Sequence, residues 1–205
     1  RQGYGMTEAS PVTHMGYIEE PYYRPDSIGH ALARTECRLL DAAGAEAPAG
    51  EPGELVMRGP QFMLGYWKAP EATAEVLRDG WYWSGDVARR DADDFYFIVD
   101  RRKEMIKYKG FPVAPAEVEA VLLEHPAVRD CGVVGRADSA AGEIPCAFVV
   151  LREGNVAGAR TQAELSAWVA ERLTGYKQPR EVRFVGSIPR NPSGKILRRN
   201  LRELL

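Results

Sequence analysis

At residues 95–103 the chain reads Phe95-Tyr96-Phe97-Ile98-Val99-Asp100-Arg101-Arg102-Lys103. Its first five residues are aliphatic or aromatic, which is typical of a short buried β-strand. The charged residues that follow predict that this strand ends abruptly at Asp100. Because the sequence pattern also changes here, we place a domain boundary at Asp100, with residues 1–99 before it and residues 100–205 after it.

Before this boundary, short strand-like runs alternate with turn sequences. The run Glu36–Leu40 precedes Asp41-Ala42-Ala43-Gly44, and residues 54–58 lie between two glycines, a pattern of strands joined by turns. A helix is predicted over residues 70–77. Residues 1–26 are predicted to be loop, because glycine and proline interrupt every regular period there.

After the boundary, strands alternate with helices. Residues 105–109 alternate apolar and charged side chains, as in a half-buried strand. Pro115 begins a predicted helix, and Thr161 with Glu164 forms a capping box for a second one. Further elements are predicted as strands at 128–135, 144–151 and 182–185 and as a last helix from Ile196. The fold class is therefore α+β: the mainly β end of a large N-terminal domain, followed by a small mixed α+β C-terminal domain.

The composition is that of a folded protein with a real core. Hydrophobic residues make up 45% and charged residues 27% of the 205 residues, so the chain can hold one large or two small domains. The net charge of −2 gives no reason to expect nucleic acid or an acidic membrane as a partner. No apolar run approaches the ~20 residues that a transmembrane helix needs, so no transmembrane segment is expected.

The cysteines indicate the cellular compartment of the protein, and the first residue indicates whether the chain has its natural N-terminus. Cys37, Cys131 and Cys146 are an odd set without the spacing of a metal site, which is typical of a reduced protein. Without a signal-peptide pattern, this predicts a cytoplasmic location. Arg1 is not an initiator methionine and a loop-like motif follows at once, so we expect that the chain has lost an N-terminal part.

The first candidate site is the motif Gln2-Gly3-Tyr4-Gly5-Met6-Thr7-Glu8. Gly5 lets the backbone approach a flat or charged ligand, and Tyr4 offers a π-face for a base. Thr7 supplies a hydroxyl for a phosphate oxygen, and Glu8 supplies a hard oxygen for Mg²⁺. Taken alone, the same residues also fit an ordinary surface turn with a buried tyrosine.

Two further features suit a nucleotide, and each has a plainer explanation. Asp86 can accept hydrogen bonds from both ribose hydroxyls, or it is a turn residue after a strand. In the cation-rich run 100–110, Arg101 follows a buried strand and can aim its guanidinium at ribose or phosphate. Gly110 marks a bend where backbone can lie against a ligand. The alternative for the whole run is a solvated edge strand.

Lys195 lies in Pro192-Ser193-Gly194-Lys195, which is predicted to be a flexible loop. A lysine there can meet oxyanions that develop during phosphoryl or adenylyl transfer. The alternative is a basic tail, with Arg198 and Arg199 as solvated helix positions. The pattern is not a Walker loop. The histidines have no partner spacing for metal or nucleophilic catalysis and are assigned structural or surface roles; they are His14, His30 and His125.

Taken in order, these motifs resemble the adenylate-forming superfamily. They are the segments at 2–8 and 107–110 and the sequences Trp83-Ser84-Gly85-Asp86 and Ser193-Gly194-Lys195-Ile196-Leu197-Arg198-Arg199. The resemblance is to its acyl-CoA synthetase branch, which includes fatty acid and 4-coumarate ligases and luciferase. It covers essentially the whole chain, which resembles the C-terminal third or so of such an enzyme.

The resemblance implies two half-reactions that use ATP, Mg²⁺ and coenzyme A. A carboxylate attacks the α-phosphate of ATP to give acyl-AMP and pyrophosphate, and the CoA thiol then displaces AMP. By motif match, Tyr4 would stack on adenine beside Gly5. Thr7 would contact phosphate and act in catalysis, and Glu8 would bind Mg²⁺.

The remaining motif matches concern ribose, charge and domain movement. Asp86 would hold the ribose with help from Arg101, and Lys195 would stabilise charge during adenylation. The small domain would swing about Asp100 and so bring the strand with Lys107 and Gly110 to the active site. That strand would then serve thioester formation and line the CoA channel.

The chain departs from the family pattern at several positions. Ser84 stands where threonine is commoner but keeps the hydroxyl, and Phe95 occupies a position that is often glycine. Pro112 replaces a glutamine or asparagine and removes a hydrogen-bond donor beside the thioester-phase strand. The Ser/Thr/Gly-rich phosphate loop and most of the acyl pocket are absent, so we expect that the chain alone cannot form acyl-AMP.

The leading hypothesis is the C-terminal part of a carboxylate–CoA ligase for fatty or arylalkanoic acids, whose partners are the acid, ATP, CoA and the missing N-terminal part. An adenylating enzyme that loads a carrier protein, or stops at acyl-AMP, is an alternative. So are a non-catalytic nucleotide-binding module and a plain structural fragment.

Overall fold

The computed structural model describes residues 2–18, 23–48 and 50–205. Arg1, on which the expectation of a lost N-terminal part was based, lies outside the described residues. The chain divides into two compact units, Arg1–Lys103 and Glu104–Leu205. The first unit includes Asp100, and a hinge at that residue stays a prediction.

The described part of the first unit consists mainly of strands. These are β1 Gly3–Gly5, β2 Val12–Met15, β3 His30–Ala31, β4 Glu36–Leu40, β5 Gly53–Arg58, β6 Leu77–Arg78, β7 Trp81–Arg90 and β8 Tyr96–Arg101. One antiparallel sheet has the order β1-β2-β3, and a second has the order β4-β5-β7-β6 with β8 also paired to β7. Helix α1 covers Pro70–Val76, and a 3-10 turn covers Thr7–Ala9.

Alternation along the strands of the first unit builds its core. Leu55 and Met57 are fully buried on β5, and they pack with Tyr82 of β7 and Tyr96 of β8. Successive strand residues point to opposite faces, so each strand sends every second side chain into this core. The predicted strands at Glu36–Leu40 and 54–58 and the helix near residue 70 are confirmed.

The prediction of loop over residues 1–26 is wrong for residues 3–15, where β1 and β2 form an antiparallel pair. Residues 16–18 and 23–26 contain no helix or strand, as predicted. Glycine and proline lie at a bulge between these strands rather than in a flexible segment. A Cβ added at Gly5 would lie 1.9 Å from the Pro11 carbonyl oxygen. Only glycine allows the two backbones to approach this closely. Residues 19–22 of the predicted loop lie outside the part of the chain that the structure describes.

The predicted end of the strand at Asp100 is also wrong, because β8 continues through Arg101. Asp100 pairs with Val87, and Arg101 pairs with Asp86 of β7. Backbone pairing to a long neighbour extends the strand past the point where its apolar residues end. The first unit thereby holds Arg101 on a sheet.

The second unit is a mixed sheet covered by helices on both faces. Its described elements are β9 Ile106–Tyr108, β10 Phe111–Val113, α2 Pro115–Leu123, β11 Val128–Asp138, β12 Gly142–Leu151, α3 Ala159–Ala170, β13 Glu181–Phe184 and α4 Arg198–Arg202. The sheet has the order β10-β9-β12-β11, with β13 parallel to β12. Residues of α2 and α3, such as Leu122 and Leu165, pack with Val149 on one face. Leu201 of α4 packs with Phe148 on the other.

The α+β prediction is confirmed, but the capping box at Thr161 and Glu164 is wrong. Helix α3 begins at Ala159 after Gly158, so Thr161 already lies in its first turn. Its hydroxyl donates instead to the Val156 carbonyl oxygen at 2.7 Å, and Glu164 forms an ion pair with Arg160. Within the described residues, no helix is long and apolar enough to cross a bilayer.

Candidate functional site

A buried carboxylate with two partners is the centre of the candidate site on the first unit. Asp86 is 5% exposed. One of its oxygens, Oδ2, accepts a hydrogen bond of 2.5 Å from the Tyr4 hydroxyl. The other, Oδ1, lies 2.7 Å from Nε of Arg101, whose side chain is 63% exposed. A charge this deeply buried needs such partners. The Arg101 guanidinium is exposed, so it connects the buried carboxylate with the protein surface.

Local strand geometry explains why Asp86 points to these partners. Gly85 adopts a φ of +71°, a conformation that favours glycine. The Ser84 hydroxyl donates to the Leu55 carbonyl oxygen at 2.6 Å and accepts from the Asp86 amide at 3.0 Å. A hydroxyl, whether of serine or threonine, therefore ties β7 to β5 directly beside Asp86. The sequence shows that serine keeps the hydroxyl of the commoner threonine. It does not indicate that this hydroxyl joins two strands.

Tyr4 is held as a neutral hydrogen-bond donor. Burial raises the pKa of its phenol, and the neighbouring Asp86 carboxylate raises it further. Tyr4 therefore stays protonated at any ordinary pH, and its hydroxyl donates a hydrogen bond to Asp86. Its ring meets the His14 ring edge-on, with centroids 5.8 Å apart. Stacking of Tyr4 on adenine stays a prediction.

His14 supports Tyr4 from inside the unit. It lies opposite Tyr4 on the paired strand and is fully buried. Its Nδ1 is 3.0 Å from the Thr13 hydroxyl, its Nε2 is 3.6 Å from the Cys37 sulfur, and its ring packs on Tyr96. Burial, with a smaller effect of His30, lowers the pKa of His14 to about 4.

The low pKa of His14 predicts an acid-sensitive fold. An unfolded chain binds a proton at this residue near pH 6.5, whereas the folded chain keeps it neutral until about pH 4. This group therefore leaves stability unchanged above pH 6.5 and lowers it as the pH falls from there. Between pH 6.5 and 5 the loss is about 2 kcal/mol. Denaturant unfolding of the wild type and His14→Gln at pH 7 and pH 5 checks this, and an equal loss in both proteins would contradict it.

Glu8 and Thr7 lie in the 3-10 turn that follows β1. Thr7 is exposed, and Glu8 Oε1 accepts a hydrogen bond of 2.6 Å from the Tyr66 hydroxyl. This bond is the main cause of a raised pKa at Tyr66. No local sequence pattern indicates this pairing, because the two residues are 58 positions apart.

The donor set at Glu8 fits only one mode of metal binding. Among the described residues, no group of three or more His, Cys, Asp or Glu side chains could hold a metal ion. Mg²⁺ is commonly held by one or two carboxylates together with substrate phosphates and water. The half-buried Glu8 carboxylate fits that mode. A magnesium role for Glu8 stays a prediction.

On the second unit, Lys195 ends a closed turn rather than a flexible loop. Arg190 and Ile196 form an antiparallel bridge. The Asn191 amide donates to the Lys195 carbonyl oxygen at 2.9 Å, and the Asn191 side chain accepts from the Lys195 amide at 2.8 Å. The side chain of Lys195 is exposed. The hydrogen-bonded backbone of this turn thus presents an exposed cationic side chain.

Lys107 and Gly110 lie on a hairpin of the second unit. Strands β9 and β10 are joined by Lys109 and Gly110, with φ values of +49° and +83°, as a tight two-residue turn requires. The exposed Lys107 donates its backbone amide to Glu143 at 2.8 Å and pairs with Pro112 across the hairpin. Their roles with CoA stay predictions.

The predicted site residues therefore form two sets. The structure brings Tyr4, Asp86 and Arg101 into direct contact on the first unit, with Thr7 and Glu8 following in the same segment. The second unit carries Lys195 on one turn and Lys107 with Gly110 on another. A buried carboxylate held by a tyrosine and an arginine, an exposed lysine on a closed turn and a glycine hairpin are the features expected of the adenylate-forming class.

Comparisons with known proteins agree with this class. The AMP-binding enzyme family model matches residues 1–67, and the AMP-binding enzyme C-terminal domain model matches residues 117–195. A 4-coumarate–CoA ligase from Vanilla planifolia is 46% identical over 100% of the chain, which spans 37% of that relative. 4-Coumarate–CoA ligase 1 from Glycine max is 45% identical over 98% of the chain, which spans 70% of it. The chain belongs to the AMP-binding enzyme family.

Solved structures give the same result. Anthranilate CoA ligase AuaEII in complex with anthranoyl-AMP matches 98% of the chain with a TM-score of 0.86 and 32% identity, over 39% of its own length. ATP-bound MatB from Rhodopseudomonas palustris matches 98% with a TM-score of 0.88 and 31% identity, over 40% of its length. The chain thus spans about two fifths of each of these proteins except the Glycine max relative.

Proposed function

We propose that this chain provides the ribose-binding, adenylation and thioester-phase elements of an ATP-dependent carboxylate–CoA ligase that acts on fatty or arylalkanoic acids. The observation that carries the proposal is the buried Asp86 carboxylate, held by the Tyr4 hydroxyl and the Arg101 guanidinium. The named 4-coumarate–CoA ligases among its relatives support it.

Asp86 is suited to bind the ribose of ATP and AMP. An ionised carboxylate only accepts hydrogen bonds and has about four lone-pair positions. The contacts to Tyr4 and Arg101 leave acceptor capacity for the two ribose hydroxyls. Both partners also hold the carboxylate in one orientation, so little reorganisation is needed when a nucleotide binds.

In the first half-reaction, a carboxylate oxygen of the acid attacks the α-phosphorus of ATP and the bond to pyrophosphate breaks. Negative charge develops on the phosphate oxygens, and Lys195 stabilises that charge. The Thr7 hydroxyl donates a hydrogen bond to a phosphate oxygen. Glu8 would hold Mg²⁺, which neutralises phosphate charge when bound.

In the second half-reaction, the CoA sulfur attacks the acyl carbon, the bond to AMP breaks and the thiol proton is released. We assign the hairpin of Lys107 and Gly110 to this step. Gly110 has no side chain, so the backbone can lie close to the pantetheine arm, and Lys107 supplies a positive charge. A swing of the second unit about Asp100 would remove Lys195 from the active site after adenylation and bring this hairpin there instead.

A cytoplasmic location is part of the proposal. The three cysteines are free thiols in the structure, as is usual in reducing compartments. Burial raises the pKa of the Cys131 thiol to about 12, so this residue is not a nucleophile.

The proposal predicts equal yields of AMP, pyrophosphate and acyl-CoA from the protein at its natural length. The test supplies ATP, Mg²⁺, CoA and a panel of fatty and arylalkanoic acids, and measures all three products. AMP without thioester would assign the acyl group to another acceptor, such as a carrier protein. A protein that binds AMP but releases no pyrophosphate with any acid would be a non-catalytic nucleotide-binding module. The 205-residue chain alone is expected to form no acyl-AMP.

A further inference from the structure

One arginine connects the Lys195 turn to the central sheet of the second unit. Arg190 contacts Asp130 of β11 through two nitrogens, with Nη2 2.7 Å from Oδ1 and Nε 3.3 Å from Oδ2. Its third nitrogen, Nη1, donates to the Gly194 carbonyl oxygen at 2.6 Å. That oxygen belongs to the peptide group that joins Gly194 to Lys195.

A second ion pair fixes the chain on the other side of the turn. Arg198 lies 2.9 Å from Glu119 of α2, and both side chains are largely buried. Glu119 also accepts a hydrogen bond of 2.7 Å from the Val133 amide in the sheet. The backbone is therefore attached to the body of the unit both before and after Lys195.

The orientation of the Gly194–Lys195 peptide group decides where the lysine side chain starts. Gly194 has a φ of +82°, and glycine can adopt many backbone conformations at little cost. The N–H of this peptide group donates to the Asn191 side chain at 2.8 Å, and its carbonyl oxygen accepts from Arg190 at 2.6 Å. Without Arg190 the group is held at its N–H alone, and it can tilt and redirect the side chain that follows. A lysine has a flexible stem, so a misplaced backbone lowers the fraction of time that its charge spends at the right position.

We propose that Arg190 and Asp130 are positioning residues for Lys195: the guanidinium, oriented by the carboxylate, holds the Gly194 carbonyl oxygen and thereby aims the lysine. The proposal rests on the adenylation role of Lys195 given above. Arginine is required because its planar fork reaches the carboxylate and the carbonyl oxygen at once, which an ammonium group cannot do in the same geometry.

The same unit contains a matched control. Arg183 contacts the Glu181 carboxylate at 2.6 Å and donates to the carbonyl oxygens of Leu204 and Leu205 at 2.5 and 2.9 Å. It therefore makes the same types of contact as Arg190, to a carboxylate and to backbone carbonyl oxygens, but it holds the last two residues of the chain instead of the Lys195 turn. Arg183→Lys reports what the loss of such contacts does to the fold alone.

The kinetic test compares Arg190→Lys, Asp130→Asn and Arg183→Lys in the protein at its natural length. We expect Arg190→Lys to lower the rate of acyl-adenylate formation roughly 30–100-fold, as for small misplacements of a catalytic group, and Asp130→Asn to have a smaller effect. The transfer of acyl groups from supplied acyl-AMP to CoA should be almost unchanged in both, because Lys195 is assigned to the first half-reaction. The Arg183→Lys control should keep both rates.

A structural test needs no activity. Trypsin cleaves after lysine, and a loosened turn should be cut faster at the Lys195–Ile196 bond. We expect mass spectrometry to detect faster cleavage there in the 205-residue chain with Arg190→Lys, but not with Arg183→Lys.

The outcomes separate the two proposals. Unchanged adenylation and unchanged cleavage in Arg190→Lys would overturn the positioning role alone. Equal losses in both half-reactions would also overturn it, because they indicate damage to the fold. A wild-type protein that forms no acyl-AMP with any acid would instead overturn the proposed function, and this inference with it.

Discussion

Replacing Lys195 with alanine should lower the rate of acyl-adenylate formation roughly 10²–10³-fold, the loss typical when one group that stabilises transition-state charge is removed. Transfer of the acyl group from supplied acyl-AMP to CoA should be almost unchanged, because Lys195 is assigned to the first half-reaction only. Rapid-mixing measurements of pyrophosphate release and of thioester formation test the two steps separately.

The control for this prediction is Arg199→Ala. Arg199 is a cation in the adjacent helix, and its side chain is 91% exposed, so it tests whether any nearby positive charge matters. Its removal should leave both rates unchanged. Full adenylation activity in Lys195→Ala, or an equal loss in Arg199→Ala, would contradict the assignment of Lys195.

Replacing Asp86 with asparagine should weaken AMP binding roughly 10–100-fold, the range expected when hydrogen bonds to a charged group are lost. The amide has no negative charge and carries donors where the ribose hydroxyls need acceptors. The change also leaves Arg101 without its charged partner, so the guanidinium is no longer oriented. Isothermal titration of the 205-residue chain with AMP measures the effect.

Asp94→Asn is the matched control for Asp86→Asn. Asp94 pairs with Arg90 in the same unit, but its side chain is 72% exposed, and exposed pairs contribute little. Its replacement should leave AMP affinity unchanged. A second readout is the pKa of Tyr4, which the Asp86 carboxylate raises and which should fall in Asp86→Asn. Equal AMP affinity in wild type and Asp86→Asn would contradict the ribose role.

Much of the fold followed from local patterns. The strand at Glu36–Leu40, the helices and most strands after residue 105, and the bend at Gly110 were predicted, because alternation and turn residues act over a few positions. Strand β10, Phe111–Val113, was not predicted. The strands β1 and β2 were missed because glycine and proline, read locally, indicate a loop. Their actual reason is the close approach of two backbones at Gly5, which only the paired structure contains.

The candidate site, like the fold, was predicted in part from local patterns and in part only from contacts between distant segments. The motifs identified Tyr4, Asp86, Arg101 and Lys195 as residues with suitable chemistry, but each had a plainer explanation when taken alone. Contacts between residues far apart in sequence reduce that ambiguity for the first three. Tyr4 and Asp86 are 82 positions apart, and their hydrogen bond forms because separate sheets of one unit bring them together.

Local period, residue type and motif order were enough to predict the α+β class, the family and the kinds of side chain available for chemistry. Three contacts are visible only in the folded chain. Tyr4 and Arg101 share one buried carboxylate, Tyr66 donates to Glu8, and a guanidinium bound to β11 holds the turn before Lys195. Such contacts are set by the packing of distant segments into one core. No local pattern encodes them, because each partner alone is an ordinary polar residue.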